Sequence, residues 1–165
     1  MKKIGVLSDT HGWLDPKVFE YFAQCDEIWH AGDIGSISVY DKLNEFKPLR
    51  AVFGNIDDYL VRNACSEFLT FNVENVKVLL THIGGYPNKF YGKAYQKILQ
   101  ERPAIFVCGH SHILKVMYDQ SLNMLCINPG AAGMYGIQPS RTFLRFEIDG
   151  EKIQNMEVID LVVNG

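Results

Sequence analysis

The sequence predicts an α/β fold, and two patterns carry that expectation. Over the first third of the chain, short apolar runs at 4–7, 26–30 and 49–53 alternate with amphipathic segments at 16–23 and 36–46. That rhythm of strand, helix, strand, helix, strand implies a parallel sheet joined by right-handed crossovers. From Glu67 onward the period changes to two, with turn residues between the segments, which implies hairpins.

Each element has its own local reason. The run Ile4, Gly5, Val6, Leu7 reads as a strand covered on both faces, and it ends in Ser8, Asp9, Thr10, His11, Gly12. In the segment 16–23, Val18, Phe19 and Phe22 share one side and Pro16 suits the first helical turn. The second strand is broken by Ala31, Gly32, Asp33, where His30 reads more naturally as a packed, hydrogen-bonded histidine than as a ligand. Ser36 suits the N-cap of the second helix, Val39, Leu43 and Phe46 form its inner face, and Pro48 ends it. The third strand ends in Gly54, Asn55, Ile56, Asp57, Asp58, with the last two read mainly as solvated turn carboxylates. Leu69, Phe71 and Val73 alternate with polar residues, a Glu74–Asn75 turn follows, and 76–80 returns as a strand ending in Thr81 and His82. After a loop at 83–91 and a helix at 93–101, the run from Ala104 reads as a buried strand stopping at Gly109, His110, Ser111, His112. Two hairpins, 115–127 and 142–159, close the chain.

Composition narrows the function classes. The chain has 165 residues with 47% hydrophobic and 21% charged content, which suits a single domain over 1–165 with an adequate core. Net charge is −3 and the 16 basic residues are scattered, which makes a nucleic-acid partner unlikely. Four cysteines without metal-site or scaffold spacing fit a reducing cytoplasm, and neither a signal-peptide core nor a membrane-length apolar window is present.

The strand ends collect chemistry. Asp9 and His11 stand at i and i+2, as do His110 and His112, and in extended backbone such pairs share a face and can aim at one spot. A histidine pair or a lone turn aspartate is by itself an ordinary feature. Gathered together, Asp9, His11, Asp33, Asn55, His82, His110 and His112 form an oxygen and nitrogen donor set without thiolate, suited to borderline divalent cations. Seven donors exceed one tetrahedral site and suit two ions sharing a carboxylate, an arrangement used in phosphoryl transfer.

In this order the motifs Asp9-Thr10-His11, Gly32-Asp33, Gly54-Asn55, Thr81-His82 and Gly109-His110-Ser111-His112 resemble the five blocks of the calcineurin-like metallophosphoesterase superfamily, and the chain length, the Ile127-Asn128-Pro129-Gly130 segment and the compact C-terminal hairpins resemble its short prokaryotic phosphodiesterase subgroup. The resemblance covers essentially the whole chain. It implies a four-layer α/β/β/α sandwich of two mixed sheets flanked by helices. It also implies two divalent ions, manganese first with nickel, iron, cobalt or zinc as alternatives. Asp9, His11 and His112 would hold one ion, Asn55, His82 and His110 the other, and Asp33 both.

The implied activity is hydrolysis of a small phosphodiester by in-line attack of a metal-bridging hydroxide, with Asn55, Asp33 and His82 in the catalytic set. Many superfamily members carry a histidine after the block-three asparagine, where this chain has Ile56. A missing general acid, typically worth roughly 10²–10⁴-fold, favours diesters over monoesters. Lys89 and Arg141 are the candidate substrate contacts, being cationic residues in loops near the motifs. The alternative is a protein-interaction scaffold like the retromer subunit built on the same fold, and a nuclease ranks below it. Trp13 suits an interface, a pocket wall or the core equally well.

Overall fold

The computed structural model describes residues 1–162. In chain order the first elements are β1 (Lys2–Leu7), α1 (Lys17–Tyr21), β2 (Glu27–His30), α2 (Ile37–Phe46), β3 (Leu49–Ala51), α3 (Tyr59–Ala64), β4 (Phe68–Val73) and β5 (Val76–Thr81). There follow β6 (Gly85–Tyr86), β7 (Lys89–Phe90), α4 (Gly92–Glu101), β8 (Ile105–Val107), β9 (Leu114–Asp119), β10 (Met124–Pro129), β11 (Ser140–Asp149) and β12 (Lys152–Val162). They make two five-stranded mixed sheets, ordered β12-β11-β1-β2-β3 and β4-β5-β8-β10-β9. Strands β1, β2 and β3 are parallel, as the crossover pattern predicts, and β11 joins β1 antiparallel. In the second sheet β5, β8 and β10 are parallel, flanked by the antiparallel β4 and β9.

Side-chain alternation explains why the sheets stack. In β8, Ile105 and Val107 join Ile4, Val6, Trp29, Val78, Leu80 and Phe146 in the core between the sheets, whereas Phe106 points the other way. Phe106 meets Ala94 and Ile98 of α4 on the outer face of the second sheet. On the outer face of the first sheet, Ile28 and Phe143 pack with Val18 of α1 and Val39 and Leu43 of α2. The four-layer α/β/β/α sandwich implied by the motifs is therefore the observed fold.

The element expectations hold with adjusted ends and two additions. Helix α1 is a short turn from Lys17, and Ser36 caps α2 by accepting from the Val39 N–H, as its residue type suggests. Helix α3 was not foreseen; Asp58 caps it through the Val61 N–H, so Asp58 is a capping residue. The loop at 83–91 contains a small antiparallel ribbon, β6 with β7. The polar carboxyl ends of the parallel β1, β2 and β3 lie along one edge of the first sheet, and the ends of β5 and β8 in the second sheet converge on them.

His30 is wholly buried in β2, and its surroundings define its protonation. Its Nδ1 accepts the Gly32 N–H at 3.1 Å, so Nε2 carries the proton and donates to Thr10 Oγ1 at 3.0 Å, while the Thr10 hydroxyl donates to Ile34 O at 2.9 Å. Burial pushes its pKa down to about 3. It packs as a neutral histidine, as expected from the sequence.

Between pH 6.5 and about 3 the unfolded chain protonates His30 and the folded chain does not, so this residue's contribution is intact above pH 6.5 and lost as pH falls. The loss approaches about 1.4 kcal/mol per pH unit. Urea unfolding of metal-stripped protein at pH 8, 6 and 5 should show a steeper acid loss for the wild type than for His30→Gln. Parallel pH dependences would refute this assignment.

Candidate metal centre

The ligand candidates sit where strands end and the backbone reverses. Asp9, His11, Asp33, His110 and His112 all have positive φ, between 48° and 73°. Non-glycine residues adopt this left-handed conformation rarely, though Asp and His do so more readily than most. The extended geometry expected for the two i, i+2 pairs is thus replaced by tight reversals. As a consequence His110 and His112 diverge into different clusters instead of aiming at one spot.

Backbone hydrogen bonds lock the reversals together. Asp9 N donates to Gly32 O at 3.0 Å, His11 N to Asp33 O at 3.0 Å, and Gly109 N to His82 O at 2.9 Å. Close approach explains the glycine at 109, where a Cβ would overlap Ser8 Oγ and lie 2.6 Å from Asp9 Oδ2. The first sheet supplies Asp9, His11 and Asp33, and the second supplies His82, His110 and His112, across the seam between them.

Two groups result, each with ligand atoms close enough to hold one ion: Asp9, His11 and His112, and Asp33, His82 and His110. Asp9 Oδ1 lies 3.2 Å from His112 Nε2, 3.6 Å from His11 Nε2 and 3.9 Å from His82 Nε2. Asp33 Oδ2 lies 3.1 Å from His82 Nε2 and 3.6 Å from His11 Nε2, which puts it between the groups. Asn55 reaches the second group through Oδ1, 3.1 Å from His110 Nδ1. All seven candidate ligands therefore gather at one place.

The donor chemistry fits divalent cations. Asp9 Oδ1, His11 Nε2 and His82 Nε2 are buried and make no hydrogen bond, a costly state that a bound cation relieves. His82 Nδ1 is 2.7 Å from Ala31 O, so it donates there and leaves the Nε2 lone pair facing the cluster. Burial acts to raise the Asp9 carboxyl, but the adjacent His11 and His112 outweigh it and hold Asp9 well below the usual carboxylate range. For Asp33 burial is likewise outweighed, chiefly by His82, and its pKa falls. His82, which burial would lower, is raised by Asp33 and Asp9, and His112 is raised chiefly by Asp9. The pocket attracts positive charge, and protons and cations compete for the same atoms. Cys108, two residues before His110, is buried with its thiol pushed up to about 12, so it offers no thiolate.

Several supporting residues escaped sequence reasoning. Asp57 is buried, contrary to the solvated reading, and accepts from Ile34 N at 3.1 Å, Gly35 N at 2.7 Å and Gly54 N at 2.8 Å. It clamps the Asp33 loop to the Asn55 loop and touches neither Asn55's side chain nor a histidine. Arg62 of α3 donates to Asp57 O at 2.6 Å and lies 4.7 Å over the Phe53 ring, supporting the same loop. Tyr135 stacks on His11 at 4.9 Å, and Gln138 Oε1 is 3.4 Å from His112 Nδ1. The acidic doublet before an apolar segment signalled a capped helix at 59–64, whereas nothing periodic marked Tyr135 or Gln138.

The two candidate substrate contacts fare differently. Lys89 lines a cavity that also includes His110. Arg141 pairs with buried Asp15 at 3.1 Å, lies 5.0 Å over the Trp13 ring and does not line that cavity. Trp13 is accordingly part of a side-chain stack with Arg141.

Comparison with known proteins agrees with this geometry. The family model for the calcineurin-like phosphoesterase superfamily domain matches residues 1–151. A probable metallophosphoesterase of Methanothermobacter thermautotrophicus is 31% identical over 157 residues, covering 91% of this chain and 88% of that protein. Among solved structures, a conserved Streptococcus pneumoniae protein, a predicted phosphoesterase, superposes with TM-score 0.72 at 24% identity, covering 99% of this chain and 94% of the other. Chaetomium thermophilum Vps29 superposes with TM-score 0.76 at 13% identity, covering 98% and 99%. These structures share the fold.

Asp57→Asn replaces one accepting oxygen by a donor and strands one of three buried N–H groups, which costs about 1–3 kcal/mol of stability. The loosened Asp33 and Asn55 loops should also weaken divalent-cation binding by about 10–100-fold, read by calorimetric titration of the metal-stripped protein with each cation in turn. Unchanged stability and affinity would show that the clamp is dispensable.

Proposed function

The chain belongs to the calcineurin-like phosphoesterase superfamily, and on that premise we propose that it is a metal-dependent phosphodiesterase acting on a small phosphodiester. The observation that supports this reading best is the convergence of three buried, unsatisfied atoms, Asp9 Oδ1, His11 Nε2 and His82 Nε2, between two ligand groups. In this reading Asp9, His11 and His112 hold one ion, and His82, His110 and Asn55 hold the second. Asp33, placed between the groups, serves both. An all-nitrogen-and-oxygen donor set suits manganese, with nickel, iron, cobalt and zinc as competitors. Two such ions would polarise a phosphoryl oxygen and make water acidic enough to attack phosphorus at neutral pH.

The chain's own residues do the rest. Asn55 Oδ1 faces His110, which leaves its amide N–H groups to donate to a phosphoryl oxygen as negative charge develops. The Ile56 N–H donates to Asp33 Oδ1 at 3.1 Å and so orients the carboxylate meant to serve both ions. The Ile56 side chain is 48% exposed and cannot give a proton to a leaving group. This limits efficient hydrolysis to esters whose leaving group departs without one, and supports diester over monoester substrates. Lys89 is the better placed of the two cationic candidates for contacting substrate, because it lines the cavity that includes His110 whereas Arg141 is paired with Asp15. Four free cysteines suit a reducing cytoplasm, and among the described residues no helix is long and apolar enough to cross a membrane.

A second reading has its own observation. Ile56, Tyr59 and Leu60 beside the Asn55 loop, and Ile113, Tyr135 and Ile137 beside His112, are large apolar side chains left exposed around the metal-ligand groups. Such a rim suits a protein partner, as in a scaffold that keeps the fold without turnover. The complete ligand set favours the enzyme.

Metal-stripped protein should regain hydrolysis of bis(4-nitrophenyl) phosphate on addition of manganese, with 4-nitrophenyl phosphate cleaved more slowly. Asn55→Ala should lower kcat by about 10²-fold or more. A folded protein that no divalent metal activates toward either ester would replace the enzyme with the scaffold.

A further inference from the structure

The cavity beside His110 has a chemistry that metal binding alone does not explain. It encloses about 350 Å³ between the β6–β7 ribbon, the loop after β8 and the β9–β10 hairpin. That volume is within the range of small-molecule sites. Ile83, Phe90, Met117 and Ile127 give it an apolar lining, and His110 belongs both to this wall and to the ligand group with Asp33 and His82. His110 is the one candidate ligand in this lining, so the cavity adjoins the metal-ligand groups on that side.

Charge adds a second feature. The lining contains two ammonium groups, Lys89 and Lys115, and no carboxylate, in a chain whose acidic residues outnumber its basic ones by 19 to 16. Among the described residues neither lysine is in an ion pair. Lys115 Nζ lies 3.6 Å from the centroid of the Tyr86 ring, so an aromatic face and a cation are presented together. Lys89 is next to that ring in space, paired with Tyr86 across the ribbon.

We propose that this cavity seats the non-leaving arm of the diester, and that the preferred arm is a flat aromatic or heteroaromatic ring carrying a further anionic group. The ring lies against the apolar wall and Tyr86, and the anion is held between Lys89 and Lys115. A short alkyl arm leaves the wall wet and both ammonium groups without an anion, so selectivity arises from the arm and is expressed in KM. This assignment rests on the phosphodiesterase reading for its reaction and on the cavity for its specificity.

Two measurements separate the reaction from the cavity. The first uses metal-stripped full-length protein titrated with 1-naphthalenesulfonate, a flat anion with no ester to cleave, followed by calorimetry and by NMR of the ring protons. The wild type should bind it, and the Lys89→Ala/Lys115→Ala double variant should bind about tenfold or more weakly, while Lys42→Ala, in α2 and outside the cavity, should bind as the wild type does. No binding, or equal binding by the double variant, overturns the proposal. The second compares methyl 4-nitrophenyl phosphate with the ester carrying 5-sulfo-1-naphthyl in place of methyl, using manganese-loaded protein. The sulfonaphthyl ester should have the higher kcat/KM by about tenfold, carried by KM, and the double variant should lose that preference. Sulfonate binding without turnover of either ester would remove the phosphodiesterase reading and leave a cavity for flat anions. Turnover of both esters without preference would remove the cavity assignment and leave the phosphodiesterase.

Discussion

The structure depends on a buried carboxylate that is only half satisfied. Asp9 has no solvent exposure, and its Oδ2 accepts from Ser8 Oγ at 2.6 Å and from the His110 N–H at 3.1 Å. Its Oδ1 has no hydrogen bond and faces three imidazole nitrogens. A buried charge without compensation costs several kcal/mol, so the surrounding architecture must supply positive charge at that point. The fold does so by bringing histidines from two sheets to the aspartate. The glycine at 109, which lets the loop approach Asp9, the left-handed reversals and the loop-to-loop hydrogen bonds all follow from that convergence.

The order of elements was legible because both faces of the central strands are covered. Strands such as β1 and β8 read as short continuous apolar runs, and the crossover rhythm in the first third then determined parallel pairing. The division into two sheets was not legible from period alone. Nothing in the sequence of β5 or β8 says which strand lies beside it, since pairing is a long-range choice made by packing. The family motifs supplied that architecture.

Within the site, residue type and order revealed the donors, but local geometry was misread. The i, i+2 argument for His110 and His112 assumed extended backbone, and a strand end is where that assumption fails. The reversals leave the two histidines in different groups. Asp57 illustrates a second limit. Its neighbours made it look like a turn residue open to water, and only the return of the Ile34–Gly35 segment over it buries the carboxylate. Lys89 and Arg141 were equivalent in sequence, being loop cations near motifs. Asp15, 126 positions away from Arg141, distinguishes them by binding one and leaving the other available.

The link between His110 N and Asp9 Oδ2 spans 101 positions. It also crosses from the second sheet to the first, while β1 obtains its antiparallel neighbour only from β11 near the other end of the chain. During ribosomal synthesis, therefore, the amino-terminal strand emerges with its acidic and imidazole donors long before the partners that complete them. The group with Asp33 and His82 cannot close before His110 is available, nor the group with Asp9 and His11 before His112, and β1 remains an open edge until β11 arrives. The nascent chain passes through a period in which Asp9, His11 and Asp33 stand without their imidazole partners from the second sheet, and completion of both ligand groups waits for His110 and His112.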